Sequence, residues 1–187
     1  ATKINLNSPL VILGDDSIGA EIGTELNFAD SKLKINIGTE DPRQNISDIS
    51  GHNGLENSGN SATGSNNYTD NSSGIYVNMV NNIEYQSRSV NDTLNPANNM
   101  STSSYVINNT QFTLSDYLVN VGSYSRGGAG VRVEEYGNVI LGSSSDASTN
   151  HEINLLAGGK NNTGIYISGS DAQLRADGML MNIDGTE

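Results

Sequence analysis

Apolar and polar residues alternate along most of this chain in short runs, broken by Gly, Asn, Ser and Asp. The clearest runs are Ile4-x-Leu6, Leu26-x-Phe28, Leu33-x-Ile35-x-Ile37, Phe112-x-Leu114, Val119-x-Val121, Ile153-x-Leu155 and Met179-x-Met181-x-Ile183. Period-two alternation between turn residues predicts short β-strands with one face buried. The segment closest to a helical pattern, Leu114 to Val121, is short, β-branched and stopped by Gly122, so no helix is predicted. The alternation lapses over 41–73 and again over 87–103. Both are polar excursions of a length that in compact domains tends to carry function.

A phrase returns within this pattern: Gly74-Ile75-Tyr76-Val77, Gly130-Val131-Arg132-Val133 and Gly164-Ile165-Tyr166-Ile167. Looser copies are Gly19-Ala20-Glu21-Ile22 and Ser104-Tyr105-Val106-Ile107. Two longer echoes pair Leu10-Val11-Ile12-Leu13-Gly14 with Asn138-Val139-Ile140-Leu141-Gly142, and Leu33 to Glu40 with Leu180 to Glu187. A recurring unit too small to bury its own apolar residues becomes stable when copies stack. Parallel pairing normally needs long, usually helical crossovers, and none is written here. That leaves an antiparallel sandwich or barrel, or a parallel β-helix in which each strand pairs with its equivalent one turn later; the recurring phrase favours the second. The sequence therefore predicts an all-β fold, a parallel β-helix (solenoid) of about six to eight turns with projecting polar loops, strands about 4.8 Å apart. The whole of 1–187 is expected to be one segment of it. Core positions are expected at Ile22, Ile35, Ile75, Val77, Val131, Val133, Ile140, Ile153, Ile165, Ile167 and Ile183. Stacked Asn side chains at the turns are expected to bond along a ladder. Removing 45–70 is expected to leave the fold intact, because long surface loops cost little to shorten.

Composition narrows the classes. The chain holds 187 residues, 34% hydrophobic, with no Trp and two Phe, which suits a thin core of Val, Ile and Leu. With 21 acidic against 9 basic residues the net charge is -12, which argues against nucleic acid and against an anionic membrane surface. Cysteine is absent, so no disulfide staples are available. The longest apolar stretch, Leu10 to Leu13, is far short of the roughly 20 residues of a spanning helix. The chain opens and closes in mid-pattern, and is expected to be a piece of something larger.

The Gly-Ile-Tyr-Val/Ile phrase, the stretch Gly137-Asn138-Val139-Ile140-Leu141-Gly142, the missing cysteine and the 27 Asn resemble the passenger domains of type V autotransporter adhesins. The likeness is strongest to the large Asn-rich outer-membrane members from Gram-negative anaerobes. It implies a right-handed β-helix, exported through and held by a C-terminal translocation barrel of the same full-length chain. It also implies a location at the bacterial cell surface, outer membrane-anchored or secreted, and a role in host–pathogen adhesion and virulence.

Candidate chemistry is sparse. Gly14-Asp15-Asp16 and Gly51-His52-Asn53 echo parts of pectin-hydrolase-like sites, in which paired carboxylates work on either side of a glycosidic bond. The third glycine is Asn53, and the remaining motifs are missing. His52 and His151 read as loop residues, and no Gly-x-Ser-x-Gly elbow is present. Gly127-Gly128-Ala129-Gly130 begins a calcium-repeat phrase, but Val131-Arg132 stands where Asp is needed. No cofactor, metal or catalytic residue is predicted. The alternative to adhesion is a polysaccharide-degrading β-helix enzyme.

Ligand-binding candidates come from two sources. In apolar-x-apolar the middle residue points outward, so stacking aligns Tyr76, Arg132 and Tyr166, with Glu21 as a possible fourth member. Tyr and Arg anchor interfaces, although Tyr also simply suits strands. Tyr124 and Arg126 stand beside the glycine corner. The excursions add His52, Glu56, Tyr68, Asp70, Arg88 and Asp92, since irregular loops on a rigid body usually carry recognition. The expected partner is a host cell-surface protein or glycan, with the excursions binding and the Tyr/Arg face as wall. No nucleic acid and no membrane insertion by this segment are expected.

Overall fold

The alternating runs become strands. The structure, a computed structural model, describes residues 2–4, 6, 8–23, 26–28, 33–40, 68–79, 83–90, 94, 100–107, 111–142 and 151–185. The chain opens with β1 (Thr2–Ile4), β2 (Leu10–Ile12), β3 (Ile18–Ile22) and β4 (Leu26–Phe28). Next come β5 (Leu33–Ile37), β6 (Thr69–Asp70) and β7 (Ser73–Asn78). Two longer strands, β8 (Ile83–Val90) and β9 (Met100–Ile107), precede β10 (Phe112–Leu114). Then follow β11 (Tyr117–Val121), β12 (Ser125–Arg126), β13 (Ala129–Glu134) and β14 (Asn138–Leu141). The last are β15 (His151–Leu155), β16 (Thr163–Ile167), β17 (Gln173–Ala176) and β18 (Leu180–Ile183).

The fold is all-β, with no helix among the described residues. A five-stranded sheet runs β18-β15-β11-β5-β2, a four-stranded sheet β16-β13-β7-β3 and a three-stranded sheet β10-β14-β17. Every pairing in these three is parallel. From β11 the chain visits the five-, four- and three-stranded sheets in turn, repeats that order with β15, β16 and β17, and returns with β18. β1–β4 and β6–β12 form smaller parallel pairs.

The recurring phrase falls into register. Ala20, Ile75, Val131 and Ile165 align, as do Ile22, Val77, Val133 and Ile167. The glycine that opens each copy has a steric reason. A Cβ at Gly74 would lie 2.6 Å from the Gly130 carbonyl oxygen and 2.7 Å from Val119 Cγ1. One at Gly130 would lie 2.7 Å from Ile153 Cγ2, and one at Gly164 2.7 Å from Met181 Sδ. One at Gly19 would meet the Gly74 carbonyl at 2.7 Å and Ile35 at 3.0 Å. Ile35, Val119, Ile153 and Met181 are themselves one aligned column of the five-stranded sheet. The two sheets therefore approach until a side-chain column fills the space that glycine leaves.

The core lies between these columns. Ile35, Ile75, Val77, Val119, Val131, Val133, Val139, Leu141 and Ile153 are fully buried. Tyr117 is fully buried too, its ring centroid 6.0 Å from that of His151. Asn36, Asn120, Asn154 and Asn182 form a ladder, each Nδ2 donating to the Oδ1 of the preceding strand's Asn at 3.0, 2.9 and 2.7 Å. It stands on strands, at the non-core position between buried neighbours such as Val119 and Val121, not at the turns as expected. Turns vary in shape, whereas strand register repeats the spacing an amide ladder needs.

Several expectations are corrected. Ile140 is only half-buried, because β14 turns Val139 and Leu141 inward. Ile167 and Ile183 are 46% and 65% exposed. Each lies on the outermost strand of its sheet among the described residues, so no further strand covers it. Ile165 is half-buried against the core. The Leu10–Leu13 echo falls in a different sheet from Asn138–Leu141. Tyr105-Val106-Ile107 belongs to an antiparallel pair, β8 with β9, in which Tyr105 faces Tyr85. The excursion 87–103 is thus strand at 87–90 and 100–103. The excursion 41–73 ends in β6 and the start of β7; residues 41–67 lie outside the described residues. His151 is a buried strand residue whose Nδ1 accepts the Asp116 N–H at 2.9 Å. Its Nε2 has no partner among the described residues.

Two stability measurements check this packing. Gly130→Val should lower the urea unfolding free energy by about 2 kcal/mol or more through overpacking. Gly23→Ala, whose Cβ would meet only the Asn78 carbonyl at 3.7 Å, should stay within about 0.5 kcal/mol of the parent. Deleting 45–70 would remove β6 and its pairing with β12. The deletion that should preserve the unfolding midpoint is 45–66, and the longer one should lower it.

Candidate functional site

Four strand-to-strand corners lead into the four-stranded sheet. Asp16, Asn71, Gly127 and Asn161 occupy equivalent places there and all have positive φ, 50°, 54°, 65° and 52°. Asp, Asn and Gly tolerate this left-handed region best. Backbone bonds tie the corners together: Asp16 N–H to Asp70 O, Asn71 N–H to Arg126 O, and Gly127 N–H to Lys160 O, each 2.8 Å. Side chains finish them. Asn162 Oδ1 accepts from Gly128 N–H at 2.9 Å and Ser125 Oγ at 3.0 Å. Asp15 Oδ1 accepts from Asp70 N–H at 2.8 Å.

Beyond the corners the middle residues of the phrase align as Glu21, Tyr76, Arg132 and Tyr166, in the order expected. The Arg132 guanidinium carbon lies 5.7 Å from the Tyr76 ring centroid and 5.4 Å from that of Tyr166, cation–π distances on both sides. Arg132 Nε donates to Glu134 Oε1 at 2.7 Å. The other oxygen, Oε2, accepts from the Tyr76 hydroxyl at 2.9 Å, and that hydroxyl accepts from Asn78 Nδ2 at 2.9 Å. Ser168 Oγ donates to Glu134 Oε1 at 3.4 Å.

Glu134 holds this cluster together. Burial is the largest single influence on its carboxyl and resists ionisation, but hydrogen bonds from Tyr76, Arg132 and Ser168 and the Arg132 charge together outweigh it. Its pKa is therefore below the ordinary 4.5. The Tyr76 hydroxyl is held above its ordinary 10.0: the Asn78 bond, the largest influence, favours ionisation, but burial and Glu134 prevail against it.

A second cluster forms beside the corners. Arg126 donates to Asp70 through Nε at 2.8 Å and Nη2 at 2.6 Å. Its guanidinium carbon lies 5.2 Å from the Tyr68 ring centroid, and Lys160 Nζ lies 5.8 Å from the same centroid. The structure thus sorts the candidates into two groups, Tyr68/Asp70/Arg126 and Tyr76/Arg132/Tyr166. Tyr124 sits on the turn after β11, its N–H bonded to Gly38 O and its carbonyl to Thr69 N–H. Arg88 lies on β8, paired with Thr102. His52, Glu56 and Asp92 lie outside the described residues. Glu134 was not anticipated, although it shares an outward face with Arg132 two residues earlier; Lys160 and the Asn71 corner were missed as well.

A shallow depression of about 360 Å³ opens beside Arg132. Its lining comprises the small residues Gly127, Gly128 and Ala129, the polar Asn71, Ser73 and Thr163, and Arg132 with Tyr166. Its volume is at the small end of the roughly 300–1,000 Å³ of small-ligand sites. No group of three or more His, Asp or Glu suited to a metal ion occurs among the described residues.

Comparisons of the chain with protein-family models, with curated proteins and with solved structures give no match.

The Glu134 linkage has a definite sign. Its folded pKa is depressed, so its contribution is complete above the ordinary carboxylate value and is lost as pH falls through the depressed one. The melting temperature should fall as the pH drops below the ordinary 4.5, and Glu134→Gln should flatten that fall while lowering the neutral-pH value.

Proposed function

We propose that this chain is a segment of a bacterial cell-surface adhesin, and that it binds a host cell-surface protein or glycan through the Tyr76–Arg132–Tyr166 face. The observation that carries the reading is that face itself. A guanidinium lies between two tyrosine rings, its orientation set by Glu134, beside an open depression. Tyr and Arg held in one conformation lose little side-chain entropy on binding, which suits them as anchors. A strand-favouring role for tyrosine alone does not account for Arg132 between them.

The body presenting this face is proposed to be a right-handed parallel β-helix. What supports it is the ordered return of the chain to the same three parallel sheets. Residues 41–67 run directly into Tyr68 and are proposed to extend the binding surface. By the autotransporter resemblance the segment is displayed at the outer membrane by a C-terminal barrel of the full-length chain. The polysaccharide-degrading alternative draws on Asp15 and Asp16. Among the described residues Asp15 accepts the Asp70 N–H and Asp16 takes a positive-φ corner, turn roles that account for this pair without catalysis.

The test is adherence of the labelled chain to cultured host cells. Arg132→Ala and Tyr166→Ala, each with an unchanged β-sheet circular dichroism spectrum, should reduce cell binding about tenfold, the loss of one anchor. Full binding by both variants, with loss on deleting 45–66, would move the site from the strand face to residues 45–66.

A further inference from the structure

The depression beside Arg132 also selects a ligand class, given the binding role proposed above. Charge is the first consideration. The arginines at and next to it are each matched by a carboxylate. Arg132 Nε is held by Glu134 at 2.7 Å, and Arg126 makes two bonds to Asp70 at 2.8 and 2.6 Å. Glu134 remains ionised at neutral pH, and the chain as a whole carries a net charge of -12. A carboxylate, sulfate or phosphate ligand would meet no uncompensated arginine there and would approach an acidic molecule. A strongly basic ligand would have to take Glu134 from the three donors it already accepts.

What remains for a ligand is neutral and polar. Asn71 offers an amide, Ser73 and Thr163 hydroxyls, and Gly127, Gly128 and Ala129 a surface with nothing larger than a methyl. Arg132 donates through Nε to Glu134, and neither of its Nη groups makes a hydrogen bond among the described residues. Tyr166 is 44% exposed and lies on the outermost described strand of its sheet. Short donors and acceptors around a flat aromatic surface match a pyranose ring. Its hydroxyls exchange hydrogen bonds with amide, hydroxyl and guanidinium groups, while its C–H face packs on tyrosine. We infer that the depression is a subsite for one neutral sugar unit of a glycan, with Tyr166 as the packing surface and Arg132 as a hydrogen-bond donor held in place by Glu134.

The experiment is an amide NMR titration of the ¹⁵N-labelled chain. The neutral probes are methyl galactoside, methyl glucoside and N-acetylglucosamine; glucuronate, N-acetylneuraminate and inorganic sulfate serve as acidic probes. At least one neutral probe should shift the Gly127, Gly128, Thr163 and Tyr166 amides in a saturable way. Its affinity should change less than about twofold between 50 mM and 500 mM NaCl, because no ion pair is being screened. Tyr166→Phe should retain that affinity within about threefold, while Tyr166→Ala should lose about tenfold, the difference reporting ring packing. Thr163→Ala, away from the aromatic wall, should weaken binding without altering the spectrum elsewhere. Shifts from the acidic probes alone, strong salt dependence, or no response to any neutral probe would overturn the inference. Any of these leaves the adhesin reading to be decided by host-cell adherence, which is measured without sugars.

Discussion

Close approach of two sheets at a column of glycines is the constraint on which the rest of the structure depends. Gly19, Gly74, Gly130 and Gly164 lack the Cβ atoms that would collide with the next glycine's carbonyl, with the Ile35–Val119–Ile153–Met181 column, or with both. A chain with two Phe and no Trp has no large side chains with which to fill a wide interior. It must therefore bring its sheets together, and a methyl group is already too much at Gly19, Gly74 and Gly130, while at Gly164 it would have to displace the flexible Met181 side chain. Once the glycines are aligned, the residues on either side have no freedom of register. A shift of one residue along any strand would turn its buried Val and Ile outward.

That register is what produces a surface. The residue two places after each glycine faces out, so Glu21, Tyr76, Arg132 and Tyr166 align without any contact between them having to drive it. Their contacts then fix conformation. Arg132 is held by two rings and one carboxylate, and Glu134 in turn accepts from Tyr76, Arg132 and Ser168. An exposed ion pair alone contributes little. Here the pair is partly covered and shares its oxygens with other donors, which keeps the guanidinium in place rather than adding much to stability. The Asn36–Asn120–Asn154–Asn182 ladder uses the same repeat spacing on the five-stranded sheet.

Much of this was legible because the phrase carries both its glycine and its alternation. Strand positions, the inward Ile75/Val131 and Val77/Val133 pairs, and the Tyr/Arg alignment follow from period two plus repetition. Failures have specific causes. Ile140 was misplaced because Val-Ile-Leu is apolar throughout and alternation gives no phase. Ile167 and Ile183 have the right pattern but stand on outermost strands, which pattern does not reveal. His151 follows a Ser- and Asp-rich stretch and read as loop; its burial depends on the Asp116 N–H, 35 residues away. The β8–β9 pair joins polar segments whose cross-strand partners, such as Ser87 with Ser103, leave no apolar period. Glu134 carried a usable signal, being two residues from Arg132, but its role depends on Tyr76, 58 residues away.

The parallel register of the phrase is the central claim, and a spin-label distance tests it most directly. The chain has no cysteine of its own, so a Tyr76→Cys/Tyr166→Cys double variant can be labelled cleanly at the two strands flanking Arg132. In-register parallel pairing puts those backbones about 10 Å apart, twice the strand spacing, and predicts strong dipolar broadening that either single variant lacks. A double variant whose spectrum equals the sum of the two singles would contradict the alignment, and with it the packing and the binding face.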